Sequence, residues 1–553
     1  MSLMERYGPP KEMWPRFKLD FPEARKWPVK LNIAETLVDE HVRSGRGGKP
    51  AVMVDDRKIT YEELRLMVNR FGNALRGLGV EAGDRVMLIL PNIPEFIVSS
   101  LAVQKIGAVT VPVHPMFRAD EISHIANDCE AKILITSIQI LDEVEKAQPN
   151  LKTVRHTVIA EAEQNEVKDV YISFNELIDR YEDATELQPV RLDQDEPVLL
   201  LYTSGTTGQP KGCIHTARHY LAVADCYAKN VLMASESDVW GGTPSLAFAY
   251  GHTGLLCNPL RHGATTSLMG SIKFYPAHVL ELIEKHRVTV FYCVPTAYRA
   301  IVALKQERKK YDLSSVRVCV TAGEPCPPTL YNEVREFFGC EVLEHLGCTE
   351  LLDGFISSRF GHVKPGSVGL PVPGFEVRLV DDVENETPVG VVGHVAVIGP
   401  IGIRYWRSPD KQAESVKQGW NYTGDMAYRD EEGFFWFVGR SDDVIKSAAY
   451  RISPHEVEDA LAKHPAVAEA AVIGVPDQER GQVVKAFIVL KQGFTASDAL
   501  REAIRQFVKR RIAPYKAPKE IEFVGELPKT QTGKIKRHLL RSMETERREG
   551  KPG

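Results

Sequence analysis

The chain has 553 residues, 43% apolar and 26% charged, with a formal net charge of -5. That length exceeds what one hydrophobic core serves and predicts several folded units, and the apolar content excludes wholesale disorder. The small net charge, with acids around the short basic runs 308–310 and 509–511, gives no footprint for nucleic acid and marks those runs as solvated surface.

Taken in chain order, helix and strand signals alternate through the first three quarters. Residues 61–78 place Leu64, Met67, Phe71, Ala74, Leu75 and Leu78 near one helical face, with Thr60 positioned as the cap and Gly79 as the stop. Strands are predicted at 86–90, 108–113 and 131–136, separated by helices at 95–105 and 121–127. An apolar strand at 198–202 runs into a Gly/Ser/Thr loop, and 289–294 and 316–320 read as further interior strands. The alternation predicts an α/β fold on mostly parallel sheet. From 366 to 400, short β-like segments alternate with Gly and Pro turns and suggest a smaller β-rich unit. The aromatic strand 434–438 precedes the expected main boundary at Gly439. Beyond it come a strand, a helix at 454–463, strands at 467–475 and 483–490, a helix at 499–510 and a last strand before a polar turn. The expected organisation is an extension over 1–31, a large domain over 32–439, a small α/β domain over 440–541 and a flexible charged tail over 542–553.

The nine cysteines form no CxxC pair, and their odd count and irregular spacing fit a reducing compartment better than a disulfide scaffold. Cys348 lies in a candidate site loop, but no base stands nearby in sequence to activate it. The first thirty residues lack the apolar core of a signal peptide, and no apolar run is long enough for a membrane span, so the expected location is cytoplasmic.

The strongest local signal is Thr203-Ser204-Gly205-Thr206-Thr207-Gly208-Gln209-Pro210-Lys211-Gly212. Glycines let the backbone turn tightly and form an anion nest, hydroxyls add donors, and Lys211 adds positive charge. The bland reading of the same residues is a surface Gly/Thr turn. The segment is not GxxxxGK[ST], because Gly212 follows Lys211, and it is not GxGxxG. Neither a GxSxG elbow nor an HExxH metal motif is present.

With this loop as the first of several motifs in order, the chain resembles the adenylate-forming acyl- and aryl-CoA synthetases from about Asn32 to Arg541. The resemblance implies a large multi-subdomain adenylate-forming N-terminal domain with a small mobile α/β C-terminal domain. It implies ATP, Mg²⁺ and coenzyme A, and a reaction that passes through an acyl-adenylate. By resemblance, Thr203 to Gly208 with Lys211 hold the β- and γ-phosphates, and Ala322-Gly323-Glu324-Pro325 lies on the adenine side. In Leu346-Gly347-Cys348-Thr349-Glu350, which has Leu346 where the family usually has an aromatic residue, Thr349 would contact the α-phosphate. Glu350 and Thr206 are the expected metal contacts. Asp425, in the block 420–425, would accept hydrogen bonds from the ribose hydroxyls, with Arg440 close by. Asp442 matches the pivot of the rotating domain, and Lys534 the lysine that bridges carboxylate and α-phosphate. Arg451 matches an arginine near phosphate. Ala449 stands where the family usually has Gly, in a loop that lines the pantetheine passage.

The same resemblance places Phe248, Tyr250, His252, Thr296, Ala322 and Gly347 around a compact acid. Segments 475–487 and 512–516 look most like the medium-chain and benzoate or aminobenzoate branches. The expected partners are a small-to-medium aliphatic, branched or aromatic carboxylic acid and coenzyme A, with no nucleic acid and no membrane span, in a monomer or homodimer. The main alternative is a standalone enzyme that loads an acyl or aryl group on a carrier protein; no carrier segment follows Lys534 here.

Overall fold

The computed structural model describes residues 2–203, 210–270, 273–447, 450–477, 480–529 and 535–548. Packing divides the chain into two units, residues 1–376 with 397–421 and residues 377–396 with 422–553. This packing groups residues 377–396 and 422–439 with the second unit, whereas the sequence expectation started the small domain at 440.

The first helix of the predicted series spans Tyr61–Gly77. Its start is a capping box: Thr60 Oγ1 accepts from Glu63 N at 3.2 Å and Glu63 Oε2 from Thr60 N at 2.7 Å. The next, Pro94–Lys105, is buried nearly all round, and its buried Lys105 is paired with Asp39 at 2.6 Å.

Two large sheets organise the first unit. One runs, edge to edge, through Lys211–Thr216, Pro197–Thr203, Val109–Pro112, Arg85–Ile89, Ala131–Ser137, His156–Ala160 and Ile172–Ser173, parallel except for its first pair. In the other, Glu341–Gly347, Val318–Thr321, Val290–Cys293, Val239–Gly242, Thr265–Leu268 and Pro50–Val54 lie side by side and parallel. Most of their interior residues are apolar without alternation, because both faces are covered. Chain order reverses between the strands Val239–Gly242 and Val290–Cys293, so a topological switch point lies at their carboxyl ends.

The extension expected over 1–31 is packed into this unit. Tyr7 stacks on Trp406 at 4.3 Å between ring centroids, and its hydroxyl donates to Glu130 Oε2 at 2.6 Å.

In the second unit, Gly481–Leu490 pairs along one edge with the antiparallel strand Val467–Asp477, and its other edge carries the hairpin Ile445–Ser447/Tyr450–Ile452 at its start and Glu520–Phe523 further along. Helices Pro454–Ala462 and Asp498–Lys509 contribute Val457, Leu461, Ile504 and Val508 to a core shared with Ile445, Val472 and Ile488. The tail expected from 542 is corrected in part: helix Arg537–Arg548 runs through it. Its Glu544 is buried and meets Lys485 Nζ at 2.7 Å, and Glu522 holds the same ammonium at 3.0 Å. Charge composition suggests solvent here, but these acids have a buried partner. Lys485→Ala leaves Glu544 without that partner and is expected to cost about 3 kcal/mol. A thermal melt of the full chain checks this; an unchanged midpoint would show the pair contributes nothing.

Candidate functional site

Four parallel strands end together at Gly242, Cys293, Thr321 and Gly347, and most of the predicted residues of the first unit follow those ends. After Gly242 come Phe248, Tyr250 and His252. Phe248 is half-buried and stacks on His114, with centroids 4.8 Å apart. The Tyr250 hydroxyl donates to Val320 O at 2.9 Å, and its half-buried ring lies 5.0 Å from Tyr292 and 5.3 Å from His345. His252 differs from the expectation of a residue facing the acid. Tyr220 Oη sits 2.6 Å from its Nε2 and Leu246 O 3.2 Å from its Nδ1, so both nitrogens are committed to the fold.

Thr296, beyond Cys293, donates from Oγ1 to Glu324 Oε2 at 2.7 Å, which joins two segments that sequence could only place separately. Between buried Ala322 and half-buried Pro325, Gly323 takes φ +84°, a left-handed value that glycine adopts at no steric cost.

Beyond Gly347, a short 3-10 turn, Thr349–Leu351, presents half-buried Thr349 and Glu350. Tyr405, which sequence reasoning missed, donates from its hydroxyl to Glu350 Oε1 at 2.9 Å. It reaches that position by backbone pairing: Ile214 N donates to Arg404 O and Trp406 N to Gly212 O, each at 2.8 Å. That segment therefore lines up against the strand after the Gly/Ser/Thr loop. In the loop's own hairpin Thr203 lies opposite Lys211, and His124 Nε2 stands 3.0 Å from Pro210 O. Lys211 makes no ion pair among the described residues.

Behind the turn runs a buried relay. Arg404 donates to His219 Nε2 at 3.1 Å, and His219 Nδ1 is 3.2 Å from His215 Nδ1. An arginine only donates, so His219 Nε2 must accept and its Nδ1 carries the proton toward His215. Burial pushes His215 down to about 3 and His219 well below its ordinary value, so both rings are neutral. That leaves the His215 proton on Nε2, near the Thr349 backbone but without a formed hydrogen bond.

Among the described residues no cluster of three or more His, Cys, Asp or Glu could hold a metal. A single carboxylate with one oxygen anchored by Tyr405 still fits Mg²⁺, which keeps waters and takes phosphate oxygens as its other ligands.

The second unit carries Asp425, Arg440, Asp442 and Arg451. Asp425 is buried and opposes Arg440 across an antiparallel pair, with Nη1 to Oδ1 at 3.0 Å. Asp442 is exposed in a turn. Arg451 pairs with Asp382 at 2.7 Å. Ser204, Gly205, Thr206, Thr207, Gly208, Ala449 and Lys534 lie outside the described residues.

A family model described as AMP-binding enzyme matches residues 38–406, and one described as AMP-binding enzyme C-terminal domain matches 456–534. The chain is 37% identical to a benzoate–CoA ligase of Thauera aromatica over 94% of this chain and 98% of that one. It is equally 37% identical to an acetyl-coenzyme A synthetase of Bacillus subtilis over 93% of this chain and 91% of that one. Among solved structures, an anthranilate CoA ligase in complex with anthranoyl-AMP superposes with TM-score 0.87 at 36% identity, covering 95% of this chain and 99% of that one. A benzoate CoA ligase from Burkholderia xenovorans gives 0.82 at 33%, covering 92% and 100%.

Asp353, three residues past Glu350, is a second group sequence reasoning missed. Burial pushes its carboxyl up to about 7, while Gly354 N–H, Thr253 and Asn258 pull the other way. Facing it are His345, Tyr227, Tyr250, Tyr292 and Cys257, and burial holds His345 down at about 3, uncharged. Because the folded value is above the 3.8 of a free aspartate, stability is greatest below that lower value, falls as pH rises toward 7 and then levels off. The slope is about 1.4 kcal/mol per pH unit in that window. Asp353→Asn is expected to raise the melting midpoint at about pH 8 and to gain little near pH 4; an equal gain at both would refute the shifted carboxyl.

Proposed function

This chain belongs to the AMP-binding enzyme family and is an acyl- or aryl-CoA ligase, and we propose that its acid is a compact aromatic carboxylate. At equal identity to a benzoate ligase and an acetyl-CoA synthetase, identity does not choose the acid. The observation that carries the aromatic reading is the pair of half-buried rings, Phe248 and Tyr250, beside the carboxyl ends of four parallel strands. Ligands of open α/β sheets collect at such a switch point.

The proposed reaction has two halves. The acid's carboxylate oxygen attacks the α-phosphorus of ATP, and the bond to the bridging oxygen breaks to release pyrophosphate and leave acyl-AMP. The sulfur of coenzyme A then attacks the acyl carbonyl, AMP departs with the electron pair of the broken C–O bond, and the thiol gives up its proton. Thr349 binds the α-phosphate, Thr203 to Gly208 with Lys211 hold the β- and γ-phosphates, and Gly323, Glu324 and Pro325 lie beside adenine. Asp425 and Arg440 take the ribose. Lys534 draws carboxylate and α-phosphate together by offsetting their repulsion. Arg451 serves the phosphate, and Ala449 lines the coenzyme passage. Glu350 and Thr206 would hold Mg²⁺, which when bound neutralises phosphate charge. Tyr405 anchors one oxygen of the Glu350 carboxylate, which would leave the other for the metal. The small domain rotates about Asp442 between the halves. The nine free cysteines support a cytoplasmic setting; monomer and homodimer are the proposed states, which light scattering separates.

The test is acid-dependent AMP release from Mg-ATP, with and without coenzyme A, across acetate, medium-chain acids and benzoates. Turnover confined to benzoates and raised by coenzyme A is expected; turnover with acetate alone would sink the aromatic reading. Lys534→Ala should lower adenylation about 10²–10³-fold yet retain thioester formation from supplied acyl-AMP. Tyr405→Phe should raise the Mg²⁺ concentration needed for half-maximal AMP release roughly tenfold, the effect of losing about one hydrogen bond to a charged group. An unchanged Mg²⁺ dependence would remove Tyr405 from the metal's support.

A further inference from the structure

We propose that Cys340 and Cys319 are a redox pair that a hydroperoxide converts to a reversible disulfide, with Cys340 the attacking thiol and Cys319 the resolving one. The second sheet builds the pair. Cys319 sits in the strand Val318–Thr321, and Cys340 is the residue before its parallel neighbour Glu341–Gly347. Val342, two residues beyond Cys340, lies opposite Cys319. Side chains two positions apart on a strand share a face, so residues 319 and 340 reach the same side of the sheet. Cys319 belongs there to an apolar cluster with Tyr298, Leu330 and Val342, and Cys340 packs against it. The two sulfurs stand 3.7 Å apart. A disulfide needs about 2 Å between them, so the remaining gap is of the size that side-chain rotation closes.

The two thiols differ in what can reach them. Cys319 is fully buried, and Cys340 is part-exposed. Helix Pro328–Phe338 stops at Gly339, whose left-handed φ of +73° turns the chain into Cys340. The last turns of that helix and residues 339–341 line an open depression of about 520 Å³, with Cys340 in its wall. A small oxidant in solvent therefore meets Cys340 first. Burial holds the Cys319 thiol well up, so it keeps its proton, and its S–H bonded to the Cys340 sulfur draws Cys340 down, against burial and the charge of Glu341. The thiolate is the nucleophile, which assigns attack to Cys340. Of the other seven cysteines only Cys348 is part-exposed, and burial pushes Cys129 and Cys293 up to about 12. In the first step the Cys340 thiolate attacks the outer oxygen of the hydroperoxide, the O–O bond breaks, and the departing alkoxide or hydroxide takes a proton. In the second, the Cys319 sulfur attacks the sulfenic sulfur of Cys340, the S–O bond breaks, and hydroxide leaves with the Cys319 proton as water. Two thiols are oxidised and one peroxide is reduced. A resolving thiol at this distance stops oxidation before the irreversible sulfinic acid, and a disulfide in a reducing compartment is of this transient kind.

The experiment treats the reduced full chain with a small excess of hydrogen peroxide, with and without a cyclic 1,3-dione that traps sulfenic acid, then alkylates the remaining thiols and maps them by mass. Cleavage after Glu341 separates Cys340 from Cys348, and fragment sequencing separates Cys319 from Cys326. The wild type should lose about 2 Da, yield a Cys319–Cys340 linked peptide and recover both thiols with dithiothreitol. In Cys319→Ala, Cys340 should instead stop at the sulfenic acid and carry the dione. In Cys340→Ala, Cys319 should oxidise about tenfold or more slowly than in the wild type. The linked peptide of the wild type decides the matter should either variant fail to fold. Oxidation of Cys348 with Cys319 and Cys340 still alkylatable, oxidation of Cys340 without a link to Cys319, or no loss of thiols would each overturn the pair.

Discussion

Parallel strands joined by right-handed crossovers leave a gap wherever the chain reverses its direction of travel across the sheet, since the two connections there depart to opposite faces. In the first unit this occurs between the strands ending at Gly242 and Cys293. Most candidate groups of that unit depend on the gap. The strands themselves bear little chemistry: their backbone groups are bonded to neighbours and most of their side chains are buried and apolar, with polar exceptions such as Thr266, Thr321 and His345 that are buried too. Only the loops at the carboxyl edge are free to turn polar side chains toward a ligand. Four of them do so side by side, which is how Tyr250, Thr296, Gly323 and Thr349 come to share one edge.

A loop at an edge is not by itself a rigid one, and the turn that holds Thr349 and Glu350 is secured from outside. Residues 404–406 pair with the strand Lys211–Thr216 and deliver Tyr405 to Glu350. Two buried arginines lie beneath. Arg404 and Arg218 both reach Asp195, at 3.5 and 2.5 Å, and both lie over the Phe17 ring. A buried guanidinium is costly unless it is bonded, and the aromatic face offsets part of that cost. The N-terminal segment thus belongs to the support of the turn: Trp14 and Phe17 cover the arginines and Tyr7 stacks on Trp406.

Asp353 is the counterpoint. Around it the usual rules of the interior are broken together, by Leu352 at positive φ and by a fully buried carboxyl whose pKa burial raises against the pull of Gly354 N–H, Thr253 and Asn258. Folded chains tolerate such breaches mostly where function requires them, and the rest of the sheet supplies the stability that holds them.

Much of this was legible in the sequence, and the division follows the range of each signal. The helix at Tyr61–Gly77 and the interior strands rest on periodicity and caps, which act within a few residues. The phosphate loop, Thr349–Glu350, Asp425 and Lys534 could be singled out because each lies in a short contiguous motif. His252 and Tyr405 could not be judged that way. The first is satisfied by Tyr220, 32 positions away, and the second meets Glu350 across 55. The helix Arg537–Arg548 reads as a solvated tail until Lys485 is seen beneath Glu544, 59 positions off. By itself, then, the sequence determined the elements, the α/β class and the motif residues, because backbone sterics and side-chain spacing are local. Strand order, the partners of buried polar groups and the inward turn of Asp353 were decided only by tertiary packing, which selects among distant residues of equal local merit.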